Sequence, residues 1–152
     1  MSEAPEQEAS TRYKVAVWRS LMEVHQSVLQ EIEQDLASAH ALSSTEFDTL
    51  INIPAQGIRF NDLRDQVILS QSALSRLVTR LEQRGLVQRS SSVNDLRGVE
   101  VELTAEGKNL RRKAARTNAA AAKRAFADHL TKGELDTLYD IFSRLEKAAK
   151  DS

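Results

Sequence analysis

The chain has 152 residues, enough for one domain with a real hydrophobic core, and its 41% hydrophobic and 28% charged content is ordinary for a soluble globular protein. It holds no cysteine, which excludes disulfides, thiolate metal sites and thiol-oxidation switches. The net charge of −1 is unevenly spread: Met1–Leu50 carries nine acids against three bases, net −6, whereas Arg76–Arg116 carries ten bases against five acids, net +5.

A basic segment on an otherwise acidic chain is the footprint of a phosphate-contacting surface, although charges scattered over solvated helices give the same count. Two prolines, five glycines and 5% aromatics favour long helices over a strand-rich sandwich. The histidines His25, His40 and His129 lack ligand spacing, so neither metal nor cofactor is expected. No apolar run approaches the ~20 residues a bilayer span needs. The acidic start "MSEAPEQEAS" has no apolar segment of a secretory signal, so a cytoplasmic protein without membrane contact is expected.

Residues 1–10, polar and acidic with a proline, read as a disordered tail. From Thr11 to about Ala39 the spacing of Trp18, Leu21, Met22, His25, Leu29, Ile32 and Leu36 predicts a long amphipathic helix. Ser43 with Glu46 forms a capping box that opens a second helix, turning Phe47, Leu50 and Ile51 inward and stopping before Pro54. In "GIRFNDLRDQVILS", Asn61 is the expected N-cap of a short helix carrying the Leu63–Val67 pair. Such a helix cannot stand alone and must pack on its successor. That successor is opened by Ser70, carries Leu74, Leu77, Val78 and Leu81 on one face, and ends at Gly85, so the two make a helix-turn-helix candidate.

The period then changes. Val99, Val101 and Leu103 alternate with Glu100 and Glu102 as a half-buried strand, with Leu86–Arg89 as its partner and "SSSVNDLRG" as the hairpin tip. Thr104 caps an alanine-rich helix expected to run from Ala105 to about Leu130. Thr131 with Glu134 opens the last helix, where Leu135, Leu138, Phe142 and Leu145 form a coiled-coil-like seam. The fold class is therefore mainly α with a small two- or three-stranded β-wing.

Outside its apolar stripe, the Gln71–Arg84 helix shows Gln71, Ser72, Ser75, Arg76, Thr79 and Arg80, and positions 72, 75, 76, 79 and 80 share one face. A merely solvated face would more naturally use glutamate and lysine, because serine and threonine compete for backbone hydrogen bonds. Short hydroxyls beside arginines suit a surface that enters a major groove ~12 Å wide.

The motifs "LSQSALSRLVTRLEQRGLVQR" and "NDLRGVEVELTAEG" make the chain resemble the MarR family of bacterial transcription regulators from about Tyr13 to Lys147. The matching pieces are the helix exit Leu81–Val87, the wing Asp95–Arg97 and the stretch Val101–Gly107. One departure is the turn "VILS", which lacks the glycine often found before the recognition helix. The resemblance implies a homodimer on the double-stranded DNA of a pseudo-palindromic operator, with half-sites ~34 Å apart. It divides residues 11–152 into a winged helix-turn-helix at about 43–104 and dimerisation helices at about 11–39 and 105–149. Gln71, Ser72, Ser75, Arg76, Thr79 and Arg80 are implied DNA contacts. Arg97 would enter the minor groove, with Asp95 orienting it or merely forming a hairpin-tip ion pair with it. The dimer interface would take Leu135, Leu138, Phe142 and Leu145.

By the same resemblance, a repressor released by a small aromatic or phenolic effector is expected, with Trp18, His25 and Asp48 as candidate ligand residues. Trp18 and His25 lie at helical spacing on the apolar stripe, where such residues are more often plain packing than ligand contacts. No phosphate loop, nucleophile elbow or His–carboxylate pair suggests an enzyme. The competing class is a winged-helix interaction protein that dimerises through its terminal helices without reading DNA.

Overall fold

The computed structural model describes residues 8–91 and 98–152. The chain divides into two units, Ile32–Ala121 and a second made of the described part of Met1–Glu31 with Ala122–Ser152.

Helix α1 (Thr11–His40) runs through the boundary between them. In the larger unit its last turns bury Leu36, and the helix stops where Ala41 takes a left-handed conformation, φ 51°. The Leu42 N–H then reaches back to the Leu36 carbonyl, closing the helix end. Two further carbonyls there, of His40 and Ala41, accept from the Arg84 guanidinium at 3.0 and 2.8 Å. A cation against the negative end of a long helix satisfies both its orphan acceptors and its dipole. His40 also bonds through Nε2 to Thr117 Oγ1, 2.8 Å, tying this end to helix α5 (Ala105–Ala125).

Helix α2 (Ser44–Ile51) opens with the expected capping box: Ser43 Oγ accepts from the Glu46 N–H, and Glu46 Oε1 accepts from the Ser43 N–H. Leu50 is buried and Phe47 packs against the core, but Ile51 is 44% exposed, contrary to the expected inward set. The core side of this two-turn helix centres on Thr49 and Leu50, both buried; Ile51 lies about 40° beyond the half-buried Phe47, at the outer edge.

Strand β1 (Ile58–Arg59) leads straight into helix α3 (Phe60–Val67). The helix starts one residue before the expected cap, so Asn61 lies inside it, and Arg59 occupies the cap position without a side-chain capping bond to the helix N–H groups. The reason is non-local: β1 pairs with strand β3 (Val99–Leu103), Ile58 opposite Val101, and this fixes where the helix begins. After α3 comes the turn, then helix α4 (Gln71–Gln83), whose Leu74, Leu77, Val78 and Leu81 are all buried. Burying four such side chains contributes about 1.5–3 kcal/mol each, enough to hold both short helices in place. Ser70 Oγ caps α4 by accepting from the Ala73 N–H, and Gly85 takes φ 73° at its end.

Strand β2 (Val87–Ser91) pairs antiparallel with β3, giving a three-stranded sheet in the order β1-β3-β2. Val87, Val101 and Leu103 face the core, whereas Val99 is 42% exposed. Thr104 locks the sheet to the next helix: its hydroxyl donates to the Gly85 carbonyl and accepts from the Gly107 N–H. At Gly107 a Cβ would stand 1.9 Å from the Leu86 carbonyl oxygen, so only glycine allows α5 to approach the backbone behind α4 this closely.

In the second unit, α5 ends at Ala125, not near Leu130 as expected. Phe126 leaves helical geometry at φ −131°, a 3₁₀ turn (Ala127–His129) follows, and Lys123 Nζ bridges the break to Asp128 at 2.6 Å. No proline or glycine marks this break, so the alanine-rich composition carries no stop signal. Helix α6 (Lys132–Lys150) opens with the Thr131–Glu134 capping box. The Thr131 backbone N–H and then its hydroxyl hold the Glu134 carboxyl below the usual carboxylate range. No side chain of α6 is buried, and on α1 Tyr13, Val17 and Trp18 are more than half exposed.

Candidate nucleic-acid interface

The face of α4 turned away from the core divides into two sets. Gln71, Ser72, Arg76 and Arg80 are exposed. Arg76 and Arg80 have no hydrogen-bond or ion-pair partner among the described residues, so both guanidiniums are available to an outside acceptor. Ser75 and Thr79 are half-buried, and their polar groups are engaged. The Thr79 hydroxyl donates to the Ser75 carbonyl at 2.9 Å and accepts from both terminal nitrogens of Arg89 at 3.2 Å. Arg89 Nη2 also donates to the Ser75 carbonyl, 3.0 Å, and more weakly to Ser75 Oγ, 3.5 Å. Glu82, one turn further on, accepts from the Arg89 backbone N–H at 3.0 Å and ion-pairs with its side chain at 3.4 Å.

Arg89 is on β2, so its planar fork sews the polar face of α4 to the sheet at three successive turns. In the sequence, Arg89 reads only as the end of a strand. The signal was there in Ser75, Thr79 and Glu82 at i, i+4 and i+7, a polar line along one side of the helix.

Beside this latch a cleft of about 610 Å³ opens between α3, α4 and the sheet. Arg59 and Arg89 line it together with Phe60, Asn61, Gln71 and Val99. Of the other expected site residues, Asp95 and Arg97 lie outside the described residues. Trp18 and His25 are exposed positions of α1 in the smaller unit. Asp48 is on α2 in the larger one, where its carboxylate accepts from Asn52 Nδ2 at 3.4 Å. Leu135, Leu138 and Phe142 are half-buried on α6, and Leu145 is 58% exposed. No helix among the described residues is long and apolar enough to cross a membrane, and none of their His, Asp or Glu side chains cluster as a metal site.

A helix-turn-helix whose second helix shows free arginines, followed at once by an antiparallel ribbon, defines a winged helix-turn-helix protein. Comparison with known proteins is specific. The sequence profile of the MarR family matches residues 42–99. AbsC, a MarR family transcriptional regulator from Streptomyces coelicolor, superposes with a TM-score of 0.79 at 27% identity, over 96% of this chain and all of that one. A second MarR family regulator from the same organism, solved in complex with DNA, gives a TM-score of 0.77 at 26% identity, over 95% and 92% of the two chains. A helix-turn-helix-type transcriptional regulator from Bacillus cereus is 26% identical over 118 residues, 77% of this chain and 78% of its own. The regulator FarR from Neisseria gonorrhoeae is 43% identical over 51 residues, about a third of each chain. The chain is thus similar to MarR family regulators in sequence over residues 42–99 and in fold over most of its length.

The Arg89 fork generates a test. Arg89→Ala removes its bonds to α4 and should cost about 1–3 kcal/mol in urea unfolding. Arg89→Lys, which cannot make the fork, should recover less than half of that loss. Stability of Arg89→Ala within 0.5 kcal/mol of wild type, on the order of an ordinary surface change, would show that the latch holds nothing.

Proposed function

We propose that the protein is a sequence-specific DNA-binding transcriptional regulator of the cytoplasm, acting as a homodimer on a pseudo-palindromic operator. The observation that carries this reading is the quartet Gln71, Ser72, Arg76 and Arg80, exposed on a helix whose other sides are consumed by the core and by Arg89. A guanidinium can grip guanine O6 and N7 bidentately, while Gln71 and Ser72 at the helix N-terminus have the reach for base edges or phosphates. Ser75 and Thr79 then act chiefly by aligning the helix, because their polar groups already serve Arg89. The structural relative solved with DNA supports the same reading. Arg97, with Asp95 as its orienting partner, is assigned to the neighbouring minor groove on the family resemblance.

Dimerisation is supported by the apolar surface the single chain leaves uncovered. Trp18 is 59% exposed, Tyr139 75% and Leu145 58%, and α6 contributes nothing buried despite its Leu135–Leu138–Phe142–Leu145 seam. Surface of that kind marks an interface. We further assign repression relieved by a small aromatic or phenolic ligand. The cleft walled by Arg59, Asp62 and Arg89, with Phe60 and Val99 as apolar lining, suits such a ligand and includes none of Trp18, His25 and Asp48. Because Gln71 and Ser75 also line it, an occupant there would favour the conformation that does not bind DNA.

Two outcomes check this. In fluorescence anisotropy, Arg76→Ala and Arg80→Ala should each weaken operator binding by about 1–3 kcal/mol, roughly five- to 150-fold, without loss of fold. Wild-type binding should fall steeply with salt. Binding that is insensitive to both salt and sequence would end the regulator reading. Light scattering should return the mass of two chains for wild type and a lower or aggregated mass for Leu138→Asp; an unchanged dimer would remove α6 from the interface.

A further inference from the structure

The turn between α3 and α4 contains Ile68 at φ 48° and ψ 53°, the left-handed region. A β-branched residue is a genuine outlier there, since its Cβ crowds the following carbonyl. The same side chain is 92% exposed, more than any other large apolar side chain among the described residues. Its neighbours behave in the ordinary way: Val67 is 7% exposed and Leu69 packs against the core. On both counts, backbone and burial, the fold alone would be served better by glycine or asparagine. An observed outlier of this kind points to use outside the chain.

The position says what that use is. Ile68 precedes the Ser70 cap and stands at the same end of α4 as the exposed Gln71 and Ser72, the end at which recognition helices meet base edges. We infer that Ile68 is a specificity-determining residue that makes an apolar contact with duplex DNA beside the recognition helix, against a thymine methyl or a deoxyribose face. The other exposed side chains at that end, Ser70, Gln71 and Ser72, are polar, so Ile68 supplies what they cannot: discrimination by an apolar contact. The inference rests on the regulator reading.

Its signature is an opposition between stability and binding. Ile68→Asn and Ile68→Gly relieve the strain and uncover nothing, so both variants should melt no lower than wild type, with Ile68→Asn up to about 2–4 °C higher. The probe is the labelled duplex that wild-type protein enriches from a random pool. Both variants should bind it about five- to tenfold more weakly, at unchanged dimer mass. Replacing thymines one at a time by deoxyuridine then separates the two DNA partners. One position that weakens wild type and leaves Ile68→Asn unaffected identifies a thymine methyl; equal responses at every position identify the sugar.

Binding by both variants within twofold of wild type, with the same sequence preference, overturns the inference while leaving the regulator reading intact. A change in oligomeric mass overturns it too, by giving Ile68 to the partner chain. If wild type enriches no duplex at all, the regulator reading has failed and this inference falls with it.

Discussion

The guanidinium of Arg89 meets α4 from the side, and what that helix can present to a partner depends on this contact. Thirteen residues of helix with four buried aliphatic side chains are held at one edge only; rotation about the helix axis is resisted by whatever grips the other side. Arg89 does so at Ser75, Thr79 and Glu82. A lysine at that place would be a point charge without the fork. With Ser75 and Thr79 spent on this contact, the polar face narrows to Gln71, Ser72, Arg76 and Arg80. A reading surface has to hold its contacting atoms in register with base edges, so rotational restraint of α4 is a condition for selectivity as well as for stability.

The far end of the same helix is anchored differently. Arg84, the C-cap of α4, donates to the last carbonyls of α1 and lies 3.5 Å from Glu46 of α2, while His40 on that same α1 turn bonds Thr117 of α5. Four helices are thus tied by polar contacts around one helix terminus, over a core that is otherwise aliphatic. Within Ile32–Ala121 this makes α4 a member fixed at its middle by Arg89 and at its exit by Arg84. The N-terminal end and its turn are left as the part that can answer to a partner. Ile68 is there, strained and exposed.

Much of this was legible in the residues because it is local. Ser43, Ser70 and Thr131 sit immediately before apolar periodicity, and Gly85 immediately after it, so capping chemistry marks those ends without knowledge of the rest. The features that escaped are set by distant partners. Two residues, Ile58–Arg59, are a strand only because Val101 and Glu100 lie opposite, and the same pairing displaced the expected Asn61 cap. The break at Phe126 carries no proline or glycine, and the structure bridges it with Lys123 and Asp128. Ile68 could be noticed as a missing glycine, but that the turn keeps its left-handed residue anyway is a fact of packing on either side. In the candidate site, the arginines and hydroxyls of α4 were identifiable from their spacing. Their division into free and engaged groups was not, since it requires Arg89 to arrive from another element.

Selection of duplexes from a random pool by the wild-type chain tests the central claim most directly, because it asks for reading and symmetry together. The account predicts enrichment of one motif with two inverted half-sites whose centres lie about one helical turn, ~34–36 Å, apart, and loss of that enrichment when Arg76 and Arg80 are both replaced by alanine. A pool that stays random under wild-type protein, or a motif that survives the double replacement unchanged, would contradict it.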